Sequence, residues 1–294
     1  MISGSIVALV TPMLEDGSID YRMLQRLVDW HVQQGTDAIV SVGTTGESAT
    51  LGNGEHCEVI GRTIEFADKR IPVIAGTGAN ATSEAIHLTK CAAEMGADAC
   101  LLVTPYYNKP TQEGLYRHYL TVADSVDVPQ ILYNVPGRTA VDMSIETVVR
   151  IAEHANIVGL KEAADDSAKR AAPLRRLCGD GFALYSGNDD SARQFVLNGG
   201  NGVISVTANV APGQMQQMIA AALDGDPQRA AELDRPLQLL HERLFVQSSP
   251  IPVKWTLAEM GLIGNGIRLP LTWLETEFHD AVREAMRQAG VIED

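Results

Sequence analysis

The sequence contains no long hydrophobic run, few basic residues and few cysteines, and each shortage excludes a class of protein. The apolar run nearest the amino terminus covers only residues 6–10 and follows no basic segment. It is too short for a signal peptide or a membrane span. Lys and Arg number 23 against 37 Asp and Glu, which gives a formal charge of −14. We therefore expect no nucleic-acid partner and no binding to an anionic membrane.

The four cysteines are Cys57, Cys91, Cys100 and Cys178, and none of them forms a CxxC pair. The seven histidines form no cluster with the spacing of metal ligands. A chain of 294 residues can bury a substantial core without disulfides. We expect reduced thiols, no metal site and a cytoplasmic location.

Eight short apolar runs recur along the chain, and a helix-length amphipathic stretch follows each of them. The runs cover residues 5–12, 37–43, 71–78, 99–105, 129–136, 157–163, 182–187 and 202–210. Their near-continuous Val and Ile content is typical of parallel strands that are covered on both faces. The pattern predicts an α/β fold, a (β/α)8 TIM barrel, although an open doubly wound sheet has the same local pattern.

The strand pattern stops near residue 225, and three helix-like segments follow it. No low-complexity linker separates them from the preceding units. We predict a catalytic barrel over residues 1–224 and a C-terminal helical region over residues 225–294. In such a barrel the active site lies at the carboxyl ends of the strands. The segments predicted there include GTTGES (43–48), GTGAN (76–80), TPYYNKP (104–110), YNVPGRT (133–139) and SGND (186–189).

A lysine lies near the carboxyl end of the sixth predicted strand, IVGLKEA (157–163). Because side chains alternate along a strand, Val158 and Leu160 should face the helices. Ile157, Gly159 and Lys161 should then face the barrel interior, and Gly159 should leave room around the lysine stem. The same counting on the fifth strand turns Tyr133 inward, next to the lysine.

A desolvated lysine has a lowered pKa, so that part of it is neutral near pH 7. A neutral amine attacks the carbonyl of a keto acid, and the resulting iminium allows an enamine to form. The alternative is a structural ion pair, for example with Glu162, since such pairs also perturb pKa values. Backbone N–H groups of GTTGES could bind the carboxylate of the substrate, as could Arg138. Tyr133, Tyr107 and Thr44 are candidates for proton transfer, although a tyrosine hydroxyl often serves packing alone.

GTTGES, TPYYNKP, YNVPGRT and GLKEA, in this order and spacing, resemble the dihydrodipicolinate synthase family of class I Schiff-base aldolases. The resemblance covers nearly the whole chain, from GSIVALVTPM (4–13) to SPIPVKW (249–255) and IRLP (267–270). The family's NPIPVKW pattern begins here with serine. The resemblance implies a (β/α)8 barrel and the condensation of pyruvate with L-aspartate 4-semialdehyde, without a metal or organic cofactor.

The resemblance also implies roles for individual residues. Lys161 matches the residue that condenses with pyruvate, and Tyr133 matches the proton donor and acceptor. The other matched positions are Thr44 and Thr45 for the carboxylate and the proton relay, Tyr107 for a relay into the neighbouring subunit, Arg138 for the second substrate, and Gly187 and Ile204 for the pyruvate pocket. A homo-oligomer follows, by resemblance a tetramer built as a dimer of dimers.

Many relatives are inhibited by L-lysine bound where two subunits meet. The matching positions are Ser48, Ala49, Asn53, His56, Asn80, Glu84 and Tyr106. Asn53 departs from a histidine in the best-known inhibited members, whereas His56 and Glu84 agree. We expect inhibition by lysine with an altered affinity, and the alternative is that these residues form only an interface.

Three other functions fit parts of the pattern. N-acetylneuraminate lyase and keto-deoxy-sugar aldolases share the lysine and the tyrosine, but the Thr44-Thr45 pair and Arg138 favour the synthase. A catalytically silent binding protein would typically lack the lysine or the hydroxyls, and all are present. A phosphate-binding barrel would place a glycine-rich loop after the last two strands, where this chain has Asp189 and Asp190.

Overall fold

The computed structural model describes residues 1–293, and its centre is a barrel of eight parallel strands. The strands are β1 (Gly4–Ala8), β2 (Ala38–Ser41), β3 (Val73–Gly76), β4 (Ala99–Val103), β5 (Gln130–Asn134), β6 (Ile157–Glu162), β7 (Ala183–Ser186) and β8 (Gly202–Ser205). Each strand pairs with its neighbours in sequence, and β8 pairs with β1. Seven strands lie within the predicted apolar runs, and β1 begins one residue before its run, at Gly4. The (β/α)8 prediction is therefore confirmed, and the open sheet is excluded.

Helices surround the barrel and continue beyond it. They are α1 (Tyr21–Gln33), α2 (Asn53–Ala67), α3 (Thr82–Glu94), α4 (Gln112–Ser125), α5 (Pro136–Thr139), α6 (Ile145–Ile151), α7 (Ser167–Cys178), α8 (Ala192–Leu197), α9 (Pro212–Leu223), α10 (Pro227–Asp234), α11 (Gln238–Arg243), α12 (Ile251–Glu259) and α13 (His279–Gln288). The predicted C-terminal helices are thus present, and the division at residue 224 stays a prediction. No helix within residues 1–293 is both long enough and apolar enough to cross a membrane.

Two apolar layers explain why the strands read as continuous hydrophobic runs. Ile6, Val40 and Ile131 belong to the cluster that fills the barrel interior. Val7 and Leu132, one position along, belong to the core between strands and helices. Because alternate residues are buried on opposite faces, apolar residues occupy most positions on both faces of the strands.

The barrel closes at the pairing of β1 with β8, which we call the closing seam. Gly4 lies opposite Gly202 there, and a Cβ atom on Gly202 would lie 2.1 Å from the Gly4 carbonyl oxygen. Both glycines have a positive φ. The seam therefore requires glycine for the close approach of two backbones.

One part of the strand counting is wrong at the start of β6. Gln130 lies opposite Ile157, but the next residue of β5 lies opposite Gly159, so the register shifts at Val158. As a result Ile157 packs in the helix-facing core and Val158 packs against the interior. Beyond this irregularity Lys161 and Tyr133 lie opposite each other, as predicted. Alternation cannot reveal a bulge, because the bulge adds one residue to one strand alone.

The prediction of four reduced thiols is also wrong. Cys57 on α2 and Cys91 on α3 form a disulfide, with Cα atoms 6.2 Å apart. Cys100 and Cys178 are free. The pair arises because α2 and α3 pack side by side on the barrel, a contact that cysteine spacing in the sequence does not show.

Candidate active site

A cavity of about 180 Å³ opens at the carboxyl ends of the strands. Six of the eight residues predicted for catalysis or substrate binding line it, namely Thr44, Thr45, Tyr133, Arg138, Lys161 and Gly187. They come from the segments after β2, β5 and β7 and from β5 and β6 themselves. The structure therefore brings together residues from distant parts of the chain.

Lys161 is buried, with 6% of its surface exposed, and within residues 1–293 it forms no ion pair. Glu162 points away from it and faces Arg170, at 3.1 Å between Oε2 and Nε. The alternative of a structural pair between Lys161 and Glu162 is therefore excluded. Burial lowers the pKa of Lys161 to about 7, with the charge of Asp189 opposing this shift and that of Arg138 adding to it. About half of the lysine is thus a neutral amine at neutral pH.

The pKa of Lys161 predicts how imine formation with a keto acid depends on pH. Only the neutral amine attacks, so the rate should rise through a pH of about 7 and level off above it. Borohydride trapping at a series of pH values measures this rate. A rate that still climbs towards about pH 10, as for an ordinary lysine, would contradict the prediction.

Glycine makes the space for the lysine, but at a different position from the one predicted. A Cβ atom on Gly187 would lie 3.1 Å from Lys161 Cε and 2.6 Å from Ala163 Cβ. A Cβ atom on Gly159 would instead meet the Ala183 carbonyl oxygen, at 2.7 Å. Gly159 therefore allows β7 to approach β6, whereas Gly187 keeps the lysine stem free.

Tyr133 lies directly beside the lysine, since Lys161 Nζ is 4.4 Å from the centre of its ring. Burial raises the pKa of Tyr133 to about 12, although Arg138 and the Thr44 side chain act in the opposite direction. The phenol therefore keeps its proton at neutral pH. It can donate that proton to a group bound at the lysine and take it back afterwards.

The GTTGES segment forms a tight turn beneath the cavity mouth. The N–H groups of Gly46 and Ser48 donate to the Gly43 carbonyl, and that of Glu47 donates to the Thr44 carbonyl. Among the described residues, no protein acceptor faces the N–H groups of Thr44 and Thr45. These two groups have no partner within the described residues, and the anion-binding role of this turn stays a prediction.

Part of the cavity wall comes from the C-terminal region. Phe245 and Ser249 line the cavity, and the Ser249 carbonyl accepts a hydrogen bond from Arg138 Nη2 at 3.2 Å. Arg138 is exposed at the mouth of the cavity and has no carboxylate partner within the described residues. Its guanidinium group is therefore free to bind an anionic substrate.

A second cavity, of about 330 Å³, adjoins the first and shares Thr44 and Arg138 with it. Six of the seven residues predicted to bind lysine line it: Ser48, Ala49, Asn53, His56, Glu84 and Tyr106. Asn80 lies beside it and donates its amide N–H to the Tyr106 carbonyl, at 3.3 Å. His56 Nε2 contacts the Gly76 carbonyl at 2.7 Å, and burial lowers the pKa of its ring. A neutral imidazole that donates there leaves Nδ1 as an acceptor.

Comparison with known proteins decides the family. The model described as the dihydrodipicolinate synthetase family matches residues 1–289. The chain belongs to this family. The 4-hydroxy-tetrahydrodipicolinate synthase of Methylococcus capsulatus is 65% identical over 99% of this chain and 100% of its own length. That of Thioalkalivibrio sulfidiphilus is 62% identical over 99% of each chain.

Solved structures of the family agree in fold along the full length. Dihydrodipicolinate synthase from Acinetobacter baumannii, complexed with pyruvate, gives a TM-score of 0.98 at 55% identity, covering 99% of this chain and 100% of that one. The enzyme from Aquifex aeolicus gives 0.96 at 46% identity, covering 98% of each chain. The chain is thus an enzyme of the dihydrodipicolinate synthetase family, and the sialic-acid and sugar-acid aldolase alternatives are not favoured.

Two of the residues matched to this family do not line the cavity. Tyr107 is 90% exposed and has a positive φ of 73°. Ile204 is fully buried in the barrel interior. Their roles stay predictions. Conversely, sequence analysis missed Phe245 and Ser249, and the only signal for the latter was its place at the start of SPIPVKW.

Proposed function

We propose that this chain condenses pyruvate with L-aspartate 4-semialdehyde and that Lys161 carries the pyruvate. The observation that supports this most directly is a buried, unpaired lysine whose pKa is lowered to about 7. The membership of the family and the pyruvate in the Acinetobacter baumannii structure agree with it.

The neutral Lys161 amine attacks the keto carbon of pyruvate. Tyr133 donates a proton to the departing oxygen, which leaves as water, and an iminium remains. Loss of a methyl proton gives the enamine, whose carbon attacks the aldehyde. The amino group of the aldehyde substrate then displaces Lys161 from the former keto carbon and closes the ring. Tyr133 and Thr44 pass the protons between these steps.

Arg138 binds the carboxylate of the aldehyde substrate in this proposal. Its Nη2 is held by the Ser249 carbonyl, which leaves the rest of the guanidinium facing the cavity. Pyruvate binds deeper, where the free N–H groups of Thr44 and Thr45 lie. The two carboxylates are thus held by different groups, which predicts separable effects on the two Michaelis constants.

Arg138→Ala should raise the KM for the aldehyde by about 30-fold or more, while the KM for pyruvate changes by less than about threefold. Steady-state assays with each substrate varied in turn measure this. Arg176→Ala, on the exposed face of α7, is the matched control. Turnover of N-acetylneuraminate, with none of aspartate semialdehyde, would refute the proposed function itself.

We further propose that L-lysine inhibits the enzyme from the second cavity. Glu84 would bind an ammonium group, and His56 Nδ1 would accept from another. The solved synthase from Cyanidioschyzon merolae, 40% identical with a TM-score of 0.95, has lysine bound. The gathering of the predicted residues around one cavity supports the same use here.

Glu84→Gln should weaken inhibition by lysine at least about tenfold, because a charged hydrogen bond is replaced by a neutral one. Glu94→Gln, on the exposed end of the same helix, is the control. Inhibition curves at saturating pyruvate give the comparison. Full wild-type activity in millimolar lysine would contradict the regulatory role.

The remaining proposals concern assembly and location. Tyr107 projects from the subunit, which suits a relay into a neighbouring subunit and hence a homo-oligomer, proposed to be a tetramer. The solved structures include one described as a monomeric dihydrodipicolinate synthase variant. Because pyruvate is a central metabolite, we propose that the enzyme works in the cytoplasm.

A further inference from the structure

A second buried lysine lies outside the catalytic cavity. Lys254 on α12 is fully buried, and its ammonium group hydrogen-bonds to Oε1 of Glu47, which is itself 1% exposed. The other carboxylate oxygen of Glu47 accepts the backbone N–H of Arg268, at 3.2 Å. The carboxylate therefore joins the GTTGES turn to two separate segments of the C-terminal region. We call this contact the Glu47–Lys254 brace.

Fold stability alone gives a weak reason for such a pair. Burying two charges costs several kcal/mol per ion, and apolar replacements of both partners are often neutral or stabilising. A buried ion pair does, however, fix one geometry, because each charge must stay within reach of the other. The role of the pair can therefore be inferred from the segment whose position it fixes.

Glu47 occupies the last part of the turn that carries Thr44 and Thr45. Its φ of 59° lies in the left-handed region, which a residue with a Cβ atom adopts at a cost. Its N–H donates to the Thr44 carbonyl at 3.1 Å. At the preceding residue, the Thr11 hydroxyl donates to the Gly46 carbonyl at 2.7 Å. The second half of the turn is thus held by two contacts from outside it. Glu47 in turn connects through its N–H to Thr44, which lines the cavity.

We propose that Lys254 is a positioning residue: through Glu47 it holds the Thr44 hydroxyl in place beside Tyr133. Neither Glu47 nor Lys254 lines the catalytic cavity. The C-terminal region thereby acts on the proton relay as well as on the cavity wall. The proposal rests on the relay roles given above to Thr44 and Tyr133.

The test is a double-mutant cycle between Lys254→Met and Thr44→Val. Methionine is unbranched and apolar and fits the space of the lysine stem. Lys254→Met should lower kcat at least about tenfold with a change in the KM for pyruvate below about threefold. Because Lys254 acts through Thr44, the double variant should have about the kcat of Thr44→Val alone.

Thermal unfolding is measured in parallel, since Lys254→Met leaves the Glu47 charge buried without its partner. Asp98→Ala is the control for lost stability. Asp98 accepts a hydrogen bond from the Val73 N–H at the opposite end of the barrel, so this variant should unfold earlier yet keep its kcat. Glu47→Gln combined with Lys254→Met removes both charges. It should fold where the single variant does not, and should still have a kcat at least about tenfold below wild type.

Three results would overturn the brace as a positioning device. These are wild-type kcat in Lys254→Met, wild-type kcat in the variant with both charges removed, and losses that simply multiply in the cycle with Thr44→Val. An unchanged kcat in Thr44→Val alone would instead contradict the relay in the proposed function, and the brace with it. The two failures are thus distinguishable.

Discussion

Lys161→Met should lower kcat by on the order of 10⁴-fold or more, the usual effect of removing a covalent nucleophile. Imine formation with pyruvate should disappear at the same time. Borohydride reduction in the presence of pyruvate, followed by mass spectrometry of the digest, locates the adduct. In the wild type it should lie on the peptide that contains Lys161. Lys169→Met, at an exposed lysine on α7, should retain both adduct and turnover.

The same substitution should stabilise the fold. The pKa of Lys161 is about 7 in the folded chain against an ordinary value of 10.5, so the unfolded chain binds this proton more tightly. The destabilisation is complete below pH 7 and fades as the pH rises towards 10.5. At pH 8 Lys161→Met should therefore add on the order of 3 kcal/mol to the free energy of unfolding.

A catalytic role and a structural role of Lys161 predict opposite changes in the free energy of unfolding of Lys161→Met. Catalysis predicts a more stable and inactive variant, whereas a structural lysine predicts a less stable one. Denaturant unfolding at pH 8 and pH 6, together with the trapping experiment, separates them. Residual turnover near the wild-type level in Lys161→Met would refute the proposed chemistry.

Tyr133→Phe should lower kcat by about 10²- to 10³-fold, the range for loss of a general acid and base. The ring that covers Lys161 remains, so the environment that lowers the lysine pKa is largely kept. Only the proton donor is removed. We therefore expect the pyruvate adduct still to form, more slowly, while turnover falls much further.

Tyr119→Phe provides the matched control. Tyr119 is equally buried, but it lies on α4 outside the barrel, where its hydroxyl contacts the Leu102 carbonyl at 3.2 Å. Its loss should affect thermal stability and leave kcat near wild type. A Tyr133→Phe variant with more than about half of the wild-type kcat would mean that another group moves the proton.

Local pattern was enough to predict the barrel and the catalytic strand ends. The eight strands are buried on both faces, so each produces a short, largely apolar run in the sequence. Lys161 and Tyr133 could be placed inward because they lie beyond the bulge in β6. Ile157 and Val158 could not, since the register shift depends on pairing with β5.

The rest of the site depends on contacts between distant segments. Phe245 and Ser249 reach the cavity because the chain returns to the barrel mouth after α11. The hydrophobic periodicity of the sequence does not predict this return. Gly187 could be matched by resemblance. That a Cβ atom at this position would crowd the Lys161 stem is visible only in the structure. Glu47 reads as part of an ordinary turn until its partner on α12 is known.

The closing seam has a consequence for synthesis on the ribosome. Strand β1 emerges first, yet its partner β8 is translated only about 200 residues later, roughly 10–40 s at typical rates. Until then the edge of β1 that pairs with β8 has no partner, and unpaired strand edges of this kind favour aggregation. Arg138 and the GTTGES turn acquire their C-terminal contacts later still. The active site of the nascent chain can therefore assemble only after nearly the whole sequence has been translated.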